Sequence, residues 1–210
     1  MNPWKLGVVV IAATGVLGSL VACSTTTEPS GTGAAESTQQ ESAQTSSSRT
    51  TLTESRLQPP EQQNEYTTRG RPEVVFDPCT WISDAAVEKA GLDPTTRRRG
   101  QDIVAEYTFL TCDFEGNLRD LSVNSGNVTW EEDLQKNGGH SEAMTVNGRE
   151  ALLVQDPALE SVCSVHVRTE AGLVMFSSSR THEGQEAGLQ RCDGAVEIAT
   201  ALEPEIGAEN

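Results

Sequence analysis

Polar and apolar residues alternate cleanly from Ser161 to Arg168. Cys163, Val165 and Val167 share one face, and Ser164, His166 and Arg168 share the other. A period of two marks a strand with one buried side. The clearest hairpin joins Ala143–Val146 to Arg149–Gln155 through Asn147-Gly148, a dipeptide suited to a type I′ turn. Ala105–Phe114 is apolar on both faces and predicts a central strand, with Leu118–Val123 returning beside it across Glu115-Gly116-Asn117. Glu170-Ala171-Gly172 turns the chain into a further strand, Leu173–Ser178.

Helical signals flank these runs. Ser83 is a good N-cap, Asp84 suits a helix N-terminus, and Ile82 and Val87 occupy the positions of a hydrophobic staple. Gly91 closes this helix, Asp84–Ala90, with Pro94 just beyond. Thr129 and Glu132 form a capping box for a short helix ending before Asn137-Gly138-Gly139. Cys192, Ala195, Val196, Ala199 and Leu202 make a helical stripe, predicting one helix from about Gly184 to Leu202, stopped by Pro204. The expected fold is α+β: an antiparallel sheet with a short N-terminal and a longer C-terminal helix packed on one face.

The first 22 residues follow another logic. Lys5 precedes an apolar run, Leu6–Val21, interrupted only by small residues, which is the layout of a secretory signal. Leu20-Val21-Ala22-Cys23 resembles a bacterial lipobox. That resemblance implies cleavage between Ala22 and Cys23, diacylglyceryl on the Cys23 sulfur, and a chain held at the outer face of the cell membrane. From Ser24 to about Pro72, Ser, Thr, Gln, Glu, Gly and Ala dominate, and only Leu52, Leu57 and Tyr66 are large and apolar. Such a segment buries too little surface to offset its ordering entropy. It is expected to be a disordered tether, its ends on the order of 40 Å apart. The sequence thus predicts a signal peptide over 1–22, an acylated cysteine and tether over 23–72, and a globular domain over 73–210.

Composition narrows the partners. The formal net charge is −16, which argues against nucleic acid, whose phosphates need clustered Lys and Arg. It equally argues against polybasic attraction to anionic headgroups, leaving the acyl chains as the anchor; two chains suffice where one is marginal.

With Cys23 assigned to lipid, Cys79, Cys112, Cys163 and Cys192 remain, an even number in an exported chain. They predict two disulfides rather than zinc ligands, because no Cys-x-x-Cys occurs. Cys163 lies on the inward face of its strand and Cys192 on the inward stripe of the final helix, elements that must cover each other. Cys163–Cys192 is therefore preferred, leaving Cys79–Cys112.

Pro78-Cys79-Thr80-Trp81-Ile82, a short helix ending at Gly91, Cys112-Asp113-Phe114, Cys163 on a late strand and Cys192-x-x-Ala195 resemble domain-of-unknown-function family 3558 over about Phe76–Leu202. The family often has tryptophan where this chain has Phe114. The resemblance implies an actinobacterial lipoprotein and supplies no activity.

Candidate chemistry is sparse. His140, His166 and His182 show no metal-ligand spacing and are expected at the surface. No Gly-x-Ser-x-Gly, Ser-x-x-Lys or phosphate-binding glycine loop occurs, and no thiol is left as a nucleophile. Glu131-Glu132-Asp133 lacks EF-hand spacing and suits a solvated helix start. Arg97-Arg98-Arg99 reads as a solvated loop, with a phosphate or acidic envelope polymer as its alternative ligand. Neither a catalytic residue, nor a metal, nor a cofactor is indicated. The expected function is a non-catalytic interaction module binding an envelope protein or cell-wall component. The alternative is a small-molecule or lipid binder with a groove between sheet and helices, for which Trp81, Trp130 and Phe176 are the candidate lining residues.

Overall fold

A computed structural model describes residues 50–65 and 70–210. Residues 1–49, with Cys23 and the expected signal peptide, and residues 66–69 of the expected tether lie outside the described residues. The chain forms α1 (Pro78–Trp81), α2 (Asp84–Lys89), β1 (Leu92–Arg99), β2 (Ile103–Val104), β3 (Thr108–Gly116), β4 (Arg119–Gly126) and α3 (Trp130–Asn137). Then follow β5 (Ser141–Val146), β6 (Arg149–Val154), β7 (Val162–Arg168), β8 (Leu173–Arg180), α4 (His182–Glu186) and α5 (Ala195–Leu202). The eight strands make one antiparallel sheet in the order β1-β3-β4-β8-β7-β6-β5, with the short β2 beside β3. This is the expected α+β architecture, with both predicted disulfides.

Local signals act where the sequence places them. Ser83 Oγ accepts from Ala86 N–H and caps α2. Thr129 and Glu132 complete a reciprocal capping box on α3. Asn147, at φ +48°, turns β5 into β6.

The chain crosses from β4, mid-sheet, to β5 at the far edge before running back through β6, β7 and β8. That crossover carries α3 over the face opposite the main core. The main core lies on the other face, where Phe114, Val123, Val165, Val167 and Phe176 meet Ile82 and Val87 near α2 and Ile198 and Leu202 of α5. Two disulfides staple this closed face: Cys79–Cys112 joins α1 to β3, and Cys163–Cys192 joins β7 to the loop before α5, with Cα separations of 5.0 and 5.2 Å.

Four expectations are corrected. The final helix is two helices. Gly188 and Gly194 adopt φ of +80° and +78° and break it, placing Cys192 on the intervening loop. Arg119 donates to the carbonyls of Gln190 and Arg191, and Arg180 to that of Leu189, which satisfies loop backbone that a continuous helix would have paired internally. Second, α3 packs on the face opposite the other helices, where Trp130 meets Leu152 and Val154.

Third, Arg97-Arg98-Arg99 ends a strand, β1, rather than lying in a loop. As a result β3 is next to an edge and not central. Arg97 is only 3% exposed; it donates to the Cys79 carbonyl and to Asp84. Arg99 donates to the Leu57 carbonyl, Asp77 and Asp102. Arg97 and Arg99 are thus engaged by the protein's own oxygens, while Arg98 is half exposed beside Asp113 and Glu115.

Fourth, the folded part begins well before Glu73. Ser55–Leu57 form a 3-10 turn, Leu57 is 1% exposed within the main core, and Leu52 N–H donates to the Thr80 carbonyl at 2.9 Å. Gln62 exchanges two hydrogen bonds with the Val74 backbone. Two leucines and a few polar side chains suffice to hold a segment whose average composition is that of a coil.

Candidate binding groove on the open face of the sheet

Strand register sets out the open face in rows. Thr111, Asn124, Met175, His166 and Leu152 stand side by side across β3, β4, β8, β7 and β6. In the next row stand Asp113, Ser122, Ser177, Ser164 and Val154. Serines leave a shallow floor, while α3 stands over one side and the Gln101–Phe109 segment over the other. The result is a groove of about 700 Å³, also bordered by Asp156 and Leu159. The hollow between the sheet and the C-terminal helix, beside Leu118 and Ile198, is smaller, about 410 Å³.

Part of the groove is apolar. The Phe109 ring lies over Gly126, where a Cβ would come within 2.3 Å of it, so the absent side chain makes room for the ring. Ile103 and Leu159 at the rim are 48% and 52% exposed, and Met175 lies on the floor. Thr111, Asn124, Ser164 and Ser177 give the floor uncharged hydrogen-bonding groups, while Asp113 at the end of its row lies beside Arg98. Thr111 Oγ1 donates to Asn124 Oδ1 at 3.0 Å, and Ser164 Oγ donates to Ser177 Oγ at 3.0 Å.

His166 is the chemically distinct group, and it is buried rather than solvated as the alternation suggested. It is 5% exposed, and its Nδ1 lies 2.9 and 3.0 Å from the oxygens of Asp133, itself buried on α3. A carboxylate only accepts, so the ring presents Nδ1–H to it. Asn137 Nδ2 donates to the same carboxylate at 2.7 Å, and Asn137 Oδ1 lies 3.2 Å from His140 Nε2. Asp133 is thus held from two sides, and the His166 ring is fixed in orientation. The ring's Nε2 has no partner among the described residues and lies at the groove surface. Neither Ser164 nor Ser177 is bonded to it.

The α3 wall is anchored separately. Arg71 grips both oxygens of Glu132 at 2.7 and 2.9 Å, and its guanidinium lies 4.2 Å from the centre of the Tyr107 ring. The Arg71 hydrogen bond, with Thr129 N–H assisting, pulls the Glu132 carboxyl down to about 2, and Glu132 in turn raises Arg71. Thus Glu132 and Asp133, expected to be solvated at a helix start, are both engaged.

Other sequence candidates lie elsewhere. Trp130 and Phe176 are core residues and Trp81 packs edge-on against Phe76, so none lines the groove. His182 is exposed beside Glu186. Among the described residues, no group of three His, Cys, Asp or Glu side chains is arranged to hold a metal. The His166–Asp133 pair escapes sequence reading because its members are 33 positions apart, each on a face that looks polar.

Residues 19–205 match the model of the family described as "Protein of unknown function (DUF3558)", and the chain belongs to that family. It is the family that the cysteine framework resembles. No curated protein and no solved structure matches the chain.

Proposed function

We propose that this member of the DUF3558 family is a lipid-anchored, non-catalytic binding protein of the actinobacterial cell envelope. Its ligand lies in the groove on the open face of the sheet. Cys23 carries the diacylglyceryl anchor at the outer face of the membrane, the residues after it act as a tether, and the folded part presents the groove. The lipobox supports the anchor.

One observation carries the binding function: a hollow of about 700 Å³ that combines exposed apolar side chains with a buried, oriented histidine whose Nε2 is unbonded. Pockets of this size and mixed lining hold small molecules. Binding without catalysis is the better reading because the histidine has no hydroxyl or thiol within hydrogen-bonding distance. Ser164 and Ser177 bond to each other, and the four cysteines of the fold are in disulfides.

Solvent extracts of protein purified from an actinobacterial envelope test this. A species recovered with the parent should be lost from Ser177→Phe, which fills the floor without touching the core. Equal recovery from both proteins, with the variant folded, would rule the groove out as the site.

A further inference from the structure

We infer that the groove selects uncharged, hydroxyl-bearing amphiphiles, and that His166 Nε2 is the acceptor for a ligand hydroxyl. The inference rests on the binding function proposed above and specifies its ligand class.

The direction of that hydrogen bond follows from the Asp133 contact. In its one-proton form, with Nδ1–H committed to the carboxylate at 2.9 Å, the ring offers a lone pair at Nε2. A ligand meeting it must supply a donor, which a hydroxyl does and a carboxylate does not. Asn137 Nδ2 holds the Asp133 carboxylate in place to accept from Nδ1.

The surrounding floor fits the same ligand class. Thr111, Asn124, Ser164 and Ser177 are uncharged. The serine pair retains donor and acceptor capacity beyond its single mutual bond. The acidic groups around the groove are each hydrogen-bonded within the protein: Glu132 to Arg71, Asp133 to His166 and Asn137, and Asp156 to Ala158 N–H, with Lys136 as the one cation of the lining among the described residues. The net charge of −16 opposes anions at long range. Phe109, Met175, Ile103 and Leu159 offer an apolar surface beside these hydroxyls. An apolar body next to a hydroxylated head matches both halves.

Three water-soluble probes of similar size separate the possibilities: phenyl β-glucoside, benzoate and phenyltrimethylammonium. Each is titrated into the full chain while imidazole ¹⁵N and backbone amide resonances are followed. Phenyl β-glucoside should move the groove resonances and His166 Nε2, with Nε2 unprotonated, and should bind more tightly than either ion. His166→Phe should weaken it about three- to tenfold, the value of one neutral hydrogen bond, and His166→Gln should restore part of the loss. Ser177→Ala, which alters an open-face hydroxyl and no core contact, should weaken it a few-fold and leave benzoate unaffected.

If benzoate binds best, with a proton on Nε2, the groove remains a binding site and the hydroxyl inference falls. If no probe moves a groove resonance, the binding function falls with it.

Discussion

Replacing Leu57 by alanine should destabilise the fold as a core mutation does, although Leu57 lies in a stretch whose composition is that of a tether. The side chain is 1% exposed and packs in the main core. Truncation removes three carbons, about 2.4 kcal/mol of transfer free energy at ~0.8 kcal/mol each. The space left under the 3-10 turn adds a cavity term, so the total loss should be about 3 kcal/mol. In a domain of this size that lowers the melting temperature by roughly 6–12 °C. Urea unfolding should show a shifted midpoint with an unchanged slope. Leu159→Ala, at a position 52% exposed, is the control and should stay within about 0.5 kcal/mol of the parent. Limited proteolysis should leave a core that begins near Thr51, not near Glu73. A Leu57→Ala protein as stable as the parent would refute the argument, because the segment would then not be part of the cooperative fold.

Further outcomes test the staples, the α3 anchor, the groove wall and the membrane anchor. Non-reducing peptide mapping should recover Cys79 with Cys112 and Cys163 with Cys192; replacing Cys163 and Cys192 together by serine should cost about 3–4 kcal/mol for a loop of this length. The Glu132 carboxyl is held at about 2 against an ordinary 4.5, so its contribution is present above pH 4.5 and is lost as pH falls toward 2. Because that side chain is 37% exposed, screening reduces the contribution to about 1 kcal/mol. Glu132→Gln should show this deficit in urea unfolding at pH 7 and match the parent near pH 2. Gly126→Ala should push the Phe109 ring into the groove and weaken phenyl β-glucoside binding, read by the same titration. Cys23→Ala should leave the membrane fraction in detergent partitioning; a variant that partitions like the parent would overturn the proposed lipid anchor.

Features governed by neighbouring residues were legible in the sequence. Ser83 and Gly91 bracket α2, Thr129 and Glu132 start α3, and Asn147-Gly148 turns β5 into β6, because caps and turns are settled within four or five residues. The disulfides were legible for a related reason. Strand alternation gives the inward side of Cys163; Cys192 was assigned inward as part of a helical stripe, and although it lies on the loop before α5 it still faces the sheet and pairs as expected. What escaped depends on distant partners. Arg97 and Arg99 read as solvated until the carbonyls of Cys79 and Leu57 are brought beside them. β1 contains Pro94, which an edge strand tolerates. The break before α5 leaves the apolar stripe intact and shows only in its two left-handed glycines and the arginines gripping the loop. The groove needs the α3 crossover, which no window of sequence contains.

The two faces of the sheet divide the work of the molecule, and their difference explains why the open face can hold a ligand. On the closed face, apolar side chains of β3, β4, β7 and β8 are sealed by helices and fixed by both disulfides. Stability is concentrated there, so the opposite rows are free of that requirement. Serine and asparagine occupy them at little cost because the groove leaves them accessible to solvent. Thr111 and His166 are the buried polar groups of these rows and need partners to be tolerated; Thr111 has Asn124. Asp133 supplies the partner of His166 from α3, and Arg71 anchors α3 through Glu132. A single helix therefore walls one side of the groove and orients the histidine, and Arg71 holds that helix in place. Loosening the Arg71–Glu132 contact should accordingly free the His166 ring before it unfolds the domain, since the disulfide-stapled core does not pass through α3.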